Sequence, residues 1–172
     1  VRNCNVSNYY SGIQLDNVSN PILVDNAANS NYAAGIDLLN VTGGLIRGNE
    51  FNSNWDGIYL EDSTGNRIVN NSAHRNRIDG IHLFYGSTGN EVYGNNLTSN
   101  KGHGLAPAVC SNQIGENNIA GLGKPIKYVE DRENVRIEDT SQYSEIIFCN
   151  VNDSVISNVT IRNGPLNTDG II

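Results

Sequence analysis

A chain of 172 residues with a formal net charge of -7, 17% charged residues, 7% aromatic residues and no Met has the length of one domain. It is too acidic for the sequence-independent grip on phosphate that nucleic-acid binding needs, and no run of basic residues offsets that. No apolar run approaches the ~20 residues of a transmembrane helix. Asn, Gly, Ser, Val and Ile predominate, which disfavours long helices and favours short β segments.

Those segments repeat, and in chain order the repeat is plain. Val1, Cys4 and Val6 are followed by Gly-apolar-x-apolar at Gly12 (GIQL), then by Leu23/Asn26/Ala28. GIDL from Gly35 precedes Ile46/Asn49/Phe51, and GIYL from Gly57 precedes Ile68/Asn71/Ala73. GIHL from Gly80 precedes Val92/Asn95/Leu97, and GLAP from Gly104 precedes Ile114/Asn117/Ile119. The motif glycines thus stand at 12, 35, 57, 80 and 104, almost evenly spaced. Two rungs without Gly, at PIKY from Pro125 and EIIFC from Glu145, fill the interval from Gly104 to Gly170, which is three further steps of the same period.

A fixed period near 22 with two columns in phase is a solenoid signature. Each period holds two or three short strands with alternating apolar positions. Turn residues such as Ser63-Thr64-Gly65-Asn66 and Ser87-Thr88-Gly89-Asn90 separate them. The expected fold is a right-handed, single-stranded parallel β-helix of seven to eight rungs, forming one domain over residues 1–172. The spacing predicts one inward column of Ile13, Ile36, Ile58, Ile81, Leu105, Ile126, Ile147 and Ile171. A second inward column runs Leu15, Leu38, Leu60, Leu83, Pro107, Tyr128 and Cys149. The recurrent Asn predicts an amide ladder in a turn. The recurrent Gly marks a bend where a side chain would clash or φ must be positive.

The repeat resembles the parallel β-helix repeats of pectate-lyase-like proteins. The passage GKPIKYVEDRENVRIEDTSQYSEIIFCNVNDSVISNVTI, from Gly123 to Ile161, is most similar to the NosD-like group within them, named for a periplasmic protein linked to copper-site maturation. The resemblance implies the fold and leaves the function open, because this scaffold hosts lyases, hydrolases, epimerases, adhesins and inert stalks. It also raises copper, yet copper needs clustered His, Met or Cys. Here Met is absent and only His82 and His103 lie near each other. No cofactor is expected, with Ca²⁺ the one ion an acidic face could hold. Gly102-His103-Gly104 and Asn167-Thr168-Asp169-Gly170 resemble polygalacturonase fragments. They stand in the opposite order to that family and on the repeat's own Gly slot, so they read as products of the repeat.

In this fold family, saccharides lie along the outer face of one sheet. The Gly-Ile-x-Leu strand is expected to turn the residue before Gly, the residue between the apolar pair and the residue after Leu outward. Its middle rungs would then collect Asp56, Tyr59, Glu61, Asp79, His82, Phe84 and His103 on one surface, with Trp55 at the edge. Acids bind hydroxyls and rings cover pyranose faces. Asp56 and Asp79, one rung apart, would approach the ~5–5.5 Å carboxyl spacing of retaining glycosidases. These residues nominate a carbohydrate-binding surface, and Asp56, Asp79, His82 and His103 are the candidates if the chain is catalytic.

Seven N-x-S/T sequons, at Asn5, Asn17, Asn40, Asn70, Asn96, Asn152 and Asn158, suit a glycosylated surface protein. At ~4.8 Å per rung, Cys4, Cys110 and Cys149 fall too far apart to bridge, so three free thiols are expected. The expected function is a non-catalytic solenoid of the cell surface, periplasm or extracellular space, structural or carbohydrate-binding. The alternatives are a polysaccharide hydrolase, lyase or epimerase using the acidic and His-bearing face, and a structural stalk or lattice subunit. Both chain ends leave a rung uncapped. This predicts further rungs in a longer solenoid or copies stacked end to end.

Overall fold

The computed structural model of the protein describes residues 1–162. The Asn167–Gly170 fragment, Ile171 and the final rung end lie outside the described residues. The fold is a β-solenoid of about seven turns built almost wholly from parallel pairs. A front sheet stacks Ile13–Asp16, Ala34–Leu39, Asp56–Glu61, Ile81–Leu83 and Leu105–Pro107. A back sheet stacks Ile22–Val24, Leu45–Arg47, Arg67–Val69, Glu91–Tyr93 and Gln113–Ile114. A third edge begins with Asn5–Ser7 on Ala27–Asn29 and continues as single bridges through Glu50, Ser72, Asn96 and Ile119.

The register of the front sheet is the one the repeat predicts. Ile13, Ile36, Ile58, Ile81 and Leu105 stack in one column, and Leu15, Leu38, Leu60, Leu83 and Pro107 in the next. Ile36, Leu38, Ile58, Leu60, Ile81, Leu83 and Leu105 are fully buried and meet Leu23, Ile46, Ile68 and Val92 from the back sheet in one core. Each Leu or Ile therefore packs on its counterparts one rung above and below as well as across the coil, and a fully buried side chain of this size contributes roughly 1.5–3 kcal/mol.

Asparagine closes the corners. The predicted ladder runs Asn26, Asn49, Asn71, Asn95 and then Asn118, each Nδ2 donating to the next Oδ1 at 2.9–3.0 Å. The same Nδ2 atoms also donate to main-chain carbonyls such as Leu23, Ile46 and Ile68. The last step uses Asn118 in place of the expected Asn117, whose Oδ1 instead accepts from the Gly94 N–H at 3.0 Å. Two further ladders lie outside the two repeat motifs: Asn31, Asn54, Asn76 and Asn100, and Asn66, Asn90 and Asn112. Successive rungs also place positive φ at the same corners, as at Asn17, Asn40, Asp62 and Gly86. That conformation favours Gly, Asn and Asp, which accounts for the composition. The recurrent glycines Gly12, Gly35, Gly57 and Gly80 are a different case. A Cβ there would stand 2.6–2.7 Å from the next rung's Gly carbonyl oxygen, so steric clash and not φ requires them.

The regular coil ends near residue 119. There the chain reverses through an antiparallel bridge between Ile119 and Pro125, around a 3₁₀ turn at Gly121–Gly123. Two separate pairs follow: Ile126–Glu133 with Glu145–Asn152, and Arg136–Glu138 with Val155–Ser157. Their register sets Ile126 beside Glu145, Tyr128 beside Ile147 and Glu130 beside Cys149. The rungs are thus shorter, with stacked partners such as Asp131 and Asn150 only 19 apart in sequence. The expected stacking of Ile126 on Ile147 and Tyr128 on Cys149 is wrong by two positions. A shift of two preserves which face each side chain takes, so Ile126 and Ile147 still reach the core.

The same reversal overturns the thiol expectation. Cys110 and Cys149 form a disulfide with their Cα atoms 5.5 Å apart, and only Cys4 is free. Carrying the longer rung past position 119 overestimated the separation. The strand Glu145–Asn152 lies against the rung that carries Gly104 to Cys110, because the Glu145 carboxylate accepts the Gly104 N–H at 2.5 Å and the Leu105 N–H at 3.2 Å. In the regular coil, the matching N–H groups of Gly80 and Ile81 donate to His103 and Gly104 carbonyls of the following rung. Glu145 supplies with one side chain what the next rung would have supplied with its backbone.

Candidate functional site on the front sheet

The front sheet does assemble the predicted surface, with one change of role. Asp37, Tyr59 and His82 stack in register, as do Leu39 and Glu61. Tyr59 meets His82 edge-on at 5.3 Å and Phe84 at 5.9 Å, while His82 and Phe84 are 5.5 Å apart. Tyr85 extends the array at 4.7 Å from Phe84. The Tyr59 hydroxyl donates to Glu61 Oε2 at 3.0 Å, and burial, first, with that carboxylate pushes the Tyr59 pKa up. Trp55 is 46% exposed at the edge. With Tyr10, Asp37, Asp56 and Tyr59 it borders a cleft of about 210 Å³.

Asp56 and Asp79 are not outward-facing as expected. Both are buried, at 8% and 4% exposure, as is Glu145, which stands beside Ile126. Strand alternation fails at the glycine: Asp56, Gly57 and Ile58 are buried in succession. The carboxylates work as links between rungs. Asp56 Oδ1 accepts the Asp79 N–H at 2.9 Å, and Asp79 Oδ1 accepts the His103 N–H at 2.6 Å. Their Oδ2 atoms then face His82, whose Nδ1 lies 3.9 Å from Asp56 Oδ2 and 3.8 Å from Asp79 Oδ2. His103 Nδ1 stands 3.3 Å from Asp79 Oδ1. The Asp56 carboxylate, then Asp79, raises the His82 pKa, against the opposing pull of burial and of His103.

Asp37 belongs to this surface and was not singled out from the sequence. Burial raises its pKa, a hydrogen bond from Ser11 opposes that, and its Oδ1 is buried without a hydrogen-bond partner. Nothing in an Asp between Ile36 and Leu38 distinguishes it from a solvated one. Basic residues that form no run in the sequence come together in space. Arg75, Arg77 and Lys101, far apart in a linear reading, line one broad cleft of about 610 Å³ with Tyr9 and Tyr32. A residue near 75 and one near 100 become neighbours because they stand one rung apart. His74 is elsewhere, bonded to Ser72 Oγ at 3.0 Å. All seven sequon asparagines, Asn5, Asn17, Asn40, Asn70, Asn96, Asn152 and Asn158, are exposed.

Residues 1–119 match the family described as "Right handed beta helix region". No curated protein and no solved structure matches the chain. The matched stretch ends where the coil reverses.

Proposed function

The chain belongs to the right-handed β-helix family, and from that footing we propose that it is a glycan-binding solenoid of the cell envelope or extracellular space. The observation that carries the reading is the array of Trp55, Tyr59, His82 and Phe84 along the open face of the front sheet, with Glu61 at its side. Rings at this spacing offer apolar platforms for pyranose faces, and the carboxylate accepts sugar hydroxyls. Successive rungs repeat at ~4.8 Å, close to the rise per residue of an extended saccharide chain. The Cys110–Cys149 disulfide supports an oxidising compartment, and seven exposed sequons fit a glycosylated surface. The similarity of Gly123–Ile161 to NosD-like chains supports an envelope location.

Binding is favoured over catalysis because Asp56 and Asp79 each commit one oxygen to a main-chain N–H. A general acid and a nucleophile must also reach the reacting atoms, and these two residues are only 8% and 4% exposed. A glycan array followed by calorimetry tests the reading. Tyr59→Ala and Trp55→Ala each weaken binding about tenfold, as expected for one lost stacking platform at about 1.4 kcal/mol. Tyr143→Ala, in the shorter rungs, leaves it unchanged. Equal affinities for all four proteins would remove the front sheet as the site. Reducing ends released from a polysaccharide panel would move the assignment to the enzyme alternative.

A further inference from the structure

We infer that Asp56, Asp79 and His82 form a binding site for a divalent transition-metal ion of the zinc type on the front sheet. Asp56 Oδ2, Asp79 Oδ2 and His82 Nδ1 would be the ligands. The donor atoms of these three side chains all lie within 4.8 Å of one another. The rung stack prepares them. Each Oδ1 is held by a main-chain N–H of the following rung, which fixes the carboxylate plane and turns Oδ2 toward the imidazole. Neighbouring donors in a tetrahedral site with bonds of ~2.0–2.1 Å stand ~3.4 Å apart. The two His82–carboxylate separations, 3.8 and 3.9 Å, exceed that by only a few tenths of an ångström. The imidazole side chain is about a quarter exposed, so it can close the gap by a small rotation without disturbing the core.

Charge points the same way. Two carboxylates with 5% and 12% of their side-chain surface exposed stand together, and buried like charges are costly unless compensated. With His103 neutral, a protonated His82 leaves one negative charge, whereas a dication against neutral His82 leaves none. One nitrogen and two carboxylate oxygens suit zinc, cobalt or manganese and not calcium, which takes all-oxygen shells. The main-chain bonds to the Oδ1 atoms are the outer shell that orients such ligands. Three protein ligands leave a coordination position for water or a ligand hydroxyl. This inference does not rest on the glycan reading.

The test uses the metal alone. The chelator-treated protein is dialysed against ZnCl₂ and its metal content measured; CoCl₂ loading is followed in parallel by its visible absorption. The wild-type protein is expected to retain one Zn²⁺ per chain and to show the bands of a low-coordinate Co²⁺ site. His82→Ala, at a partly exposed position, should keep the wild-type circular dichroism and bind at least ~100-fold more weakly, since loss of an outer-shell partner alone costs 10–100-fold. His74→Ala should bind as wild type. No retained zinc, equal retention by His82→Ala, or loss in His74→Ala would each overturn the site. Because no saccharide is present, failure here leaves glycan binding standing, and failure of the glycan array leaves the metal site standing.

Discussion

Residues 1–119 and 120–162 are both parallel coils, yet they are held by different means. In the first, stacked partners lie 22 to 24 apart in sequence, and two full sheets and three asparagine ladders join the rungs. In the second, partners lie 19 apart and the strands form isolated two-stranded pairs. The regular part satisfies its corners with neutral amides, each both donor and acceptor, so that every rung can follow the last without limit. The later part lacks those ladders and is tied by a disulfide, by Glu145, and by paired corners such as Asn150 to Asp131 at 2.6 Å and Asn158 to Asp139 at 2.5 Å. A ladder of identical side chains is a device for repetition. A covalent tie and a buried carboxylate suit a junction that occurs once.

The largest effect should come from a charge in the continuous core. Ile58→Asp or Ile81→Asp places an unpaired carboxylate in a column with no exposure and should cost more than ~5 kcal/mol. Thermal or denaturant unfolding should show the regular coil lost as a unit. Ile137→Asp, at a 7% exposed position in the second part, should leave protection of residues 13–107 in hydrogen exchange near wild type. Equal spreading of both lesions would make the two parts one cooperative body.

Next in size is the tie itself. Removing the disulfide with Cys110→Ser and Cys149→Ser opens a loop with a sequence separation of 39, worth about 4 kcal/mol by chain entropy. Faster hydrogen exchange is expected beyond Leu105 and little change before Val92. Thiol counting on the denatured, unreduced wild type should find Cys4 alone; three thiols would restore the reading from sequence.

Gly57→Ala should follow at about 2–3 kcal/mol, within the range for overpacking, because the new Cβ would meet the Gly80 carbonyl oxygen at 2.6 Å and Ala73 Cβ at 2.6 Å. Gly89→Ala meets no clash, its new Cβ standing 3.9 Å from Gly65 N, but has φ of +66°, and should cost about 1 kcal/mol from backbone strain alone. The two glycines separate stacking clash from conformation. If their costs are equal, close rung contact is not what the Gly-apolar-x-apolar motif records.

Most of the fold was legible because a solenoid writes its core as columns, and two columns with one period fix the register from Ile13 to Leu105. The register failed after 119 for a physical reason. PIKY and EIIFC keep the apolar alternation, so a shift of two positions preserves every inward face and leaves no hydrophobic signal of the shortened rung. The missing Asn in those rungs was the available sign that the corner had changed. Part of the site was legible too: Tyr59, His82 and Phe84 lie on the surface their column predicts. Asp56 and Asp79 were misjudged because alternation was carried through a glycine, where the backbone admits two buried neighbours. The placing of Asp37 beside Tyr59, and of Arg75 and Arg77 near Lys101, follows from the same period; the burial that sets Asp37 apart depends on side-chain packing between rungs, which residue type alone does not encode.

The smallest effect is a pH slope, and it separates the junction from the ladders. The ladder amides do not titrate, whereas Glu145 is 1% exposed at the junction. Burial, first, raises its pKa above 4.5, with Asp79 adding to this; the Gly104 and Leu105 N–H groups and His103 oppose it. A carboxyl whose folded pKa lies above its unfolded value holds its proton longer in the folded chain. Its contribution is therefore fully present below about pH 4.5, and stability falls as pH rises through the raised value. Asp37 has a raised pKa from burial as well and gives a slope of the same sign, so the informative quantity is a difference between proteins. Glu145→Gln keeps one acceptor oxygen for Gly104 and removes the titration. Its denaturation midpoint should fall less steeply than that of the wild type as pH rises above 4.5, while Asp37→Asn should remove only the Asp37 share. Identical slopes for the wild type and Glu145→Gln would mean that burial does not outweigh the Gly104 and Leu105 N–H groups at this carboxyl.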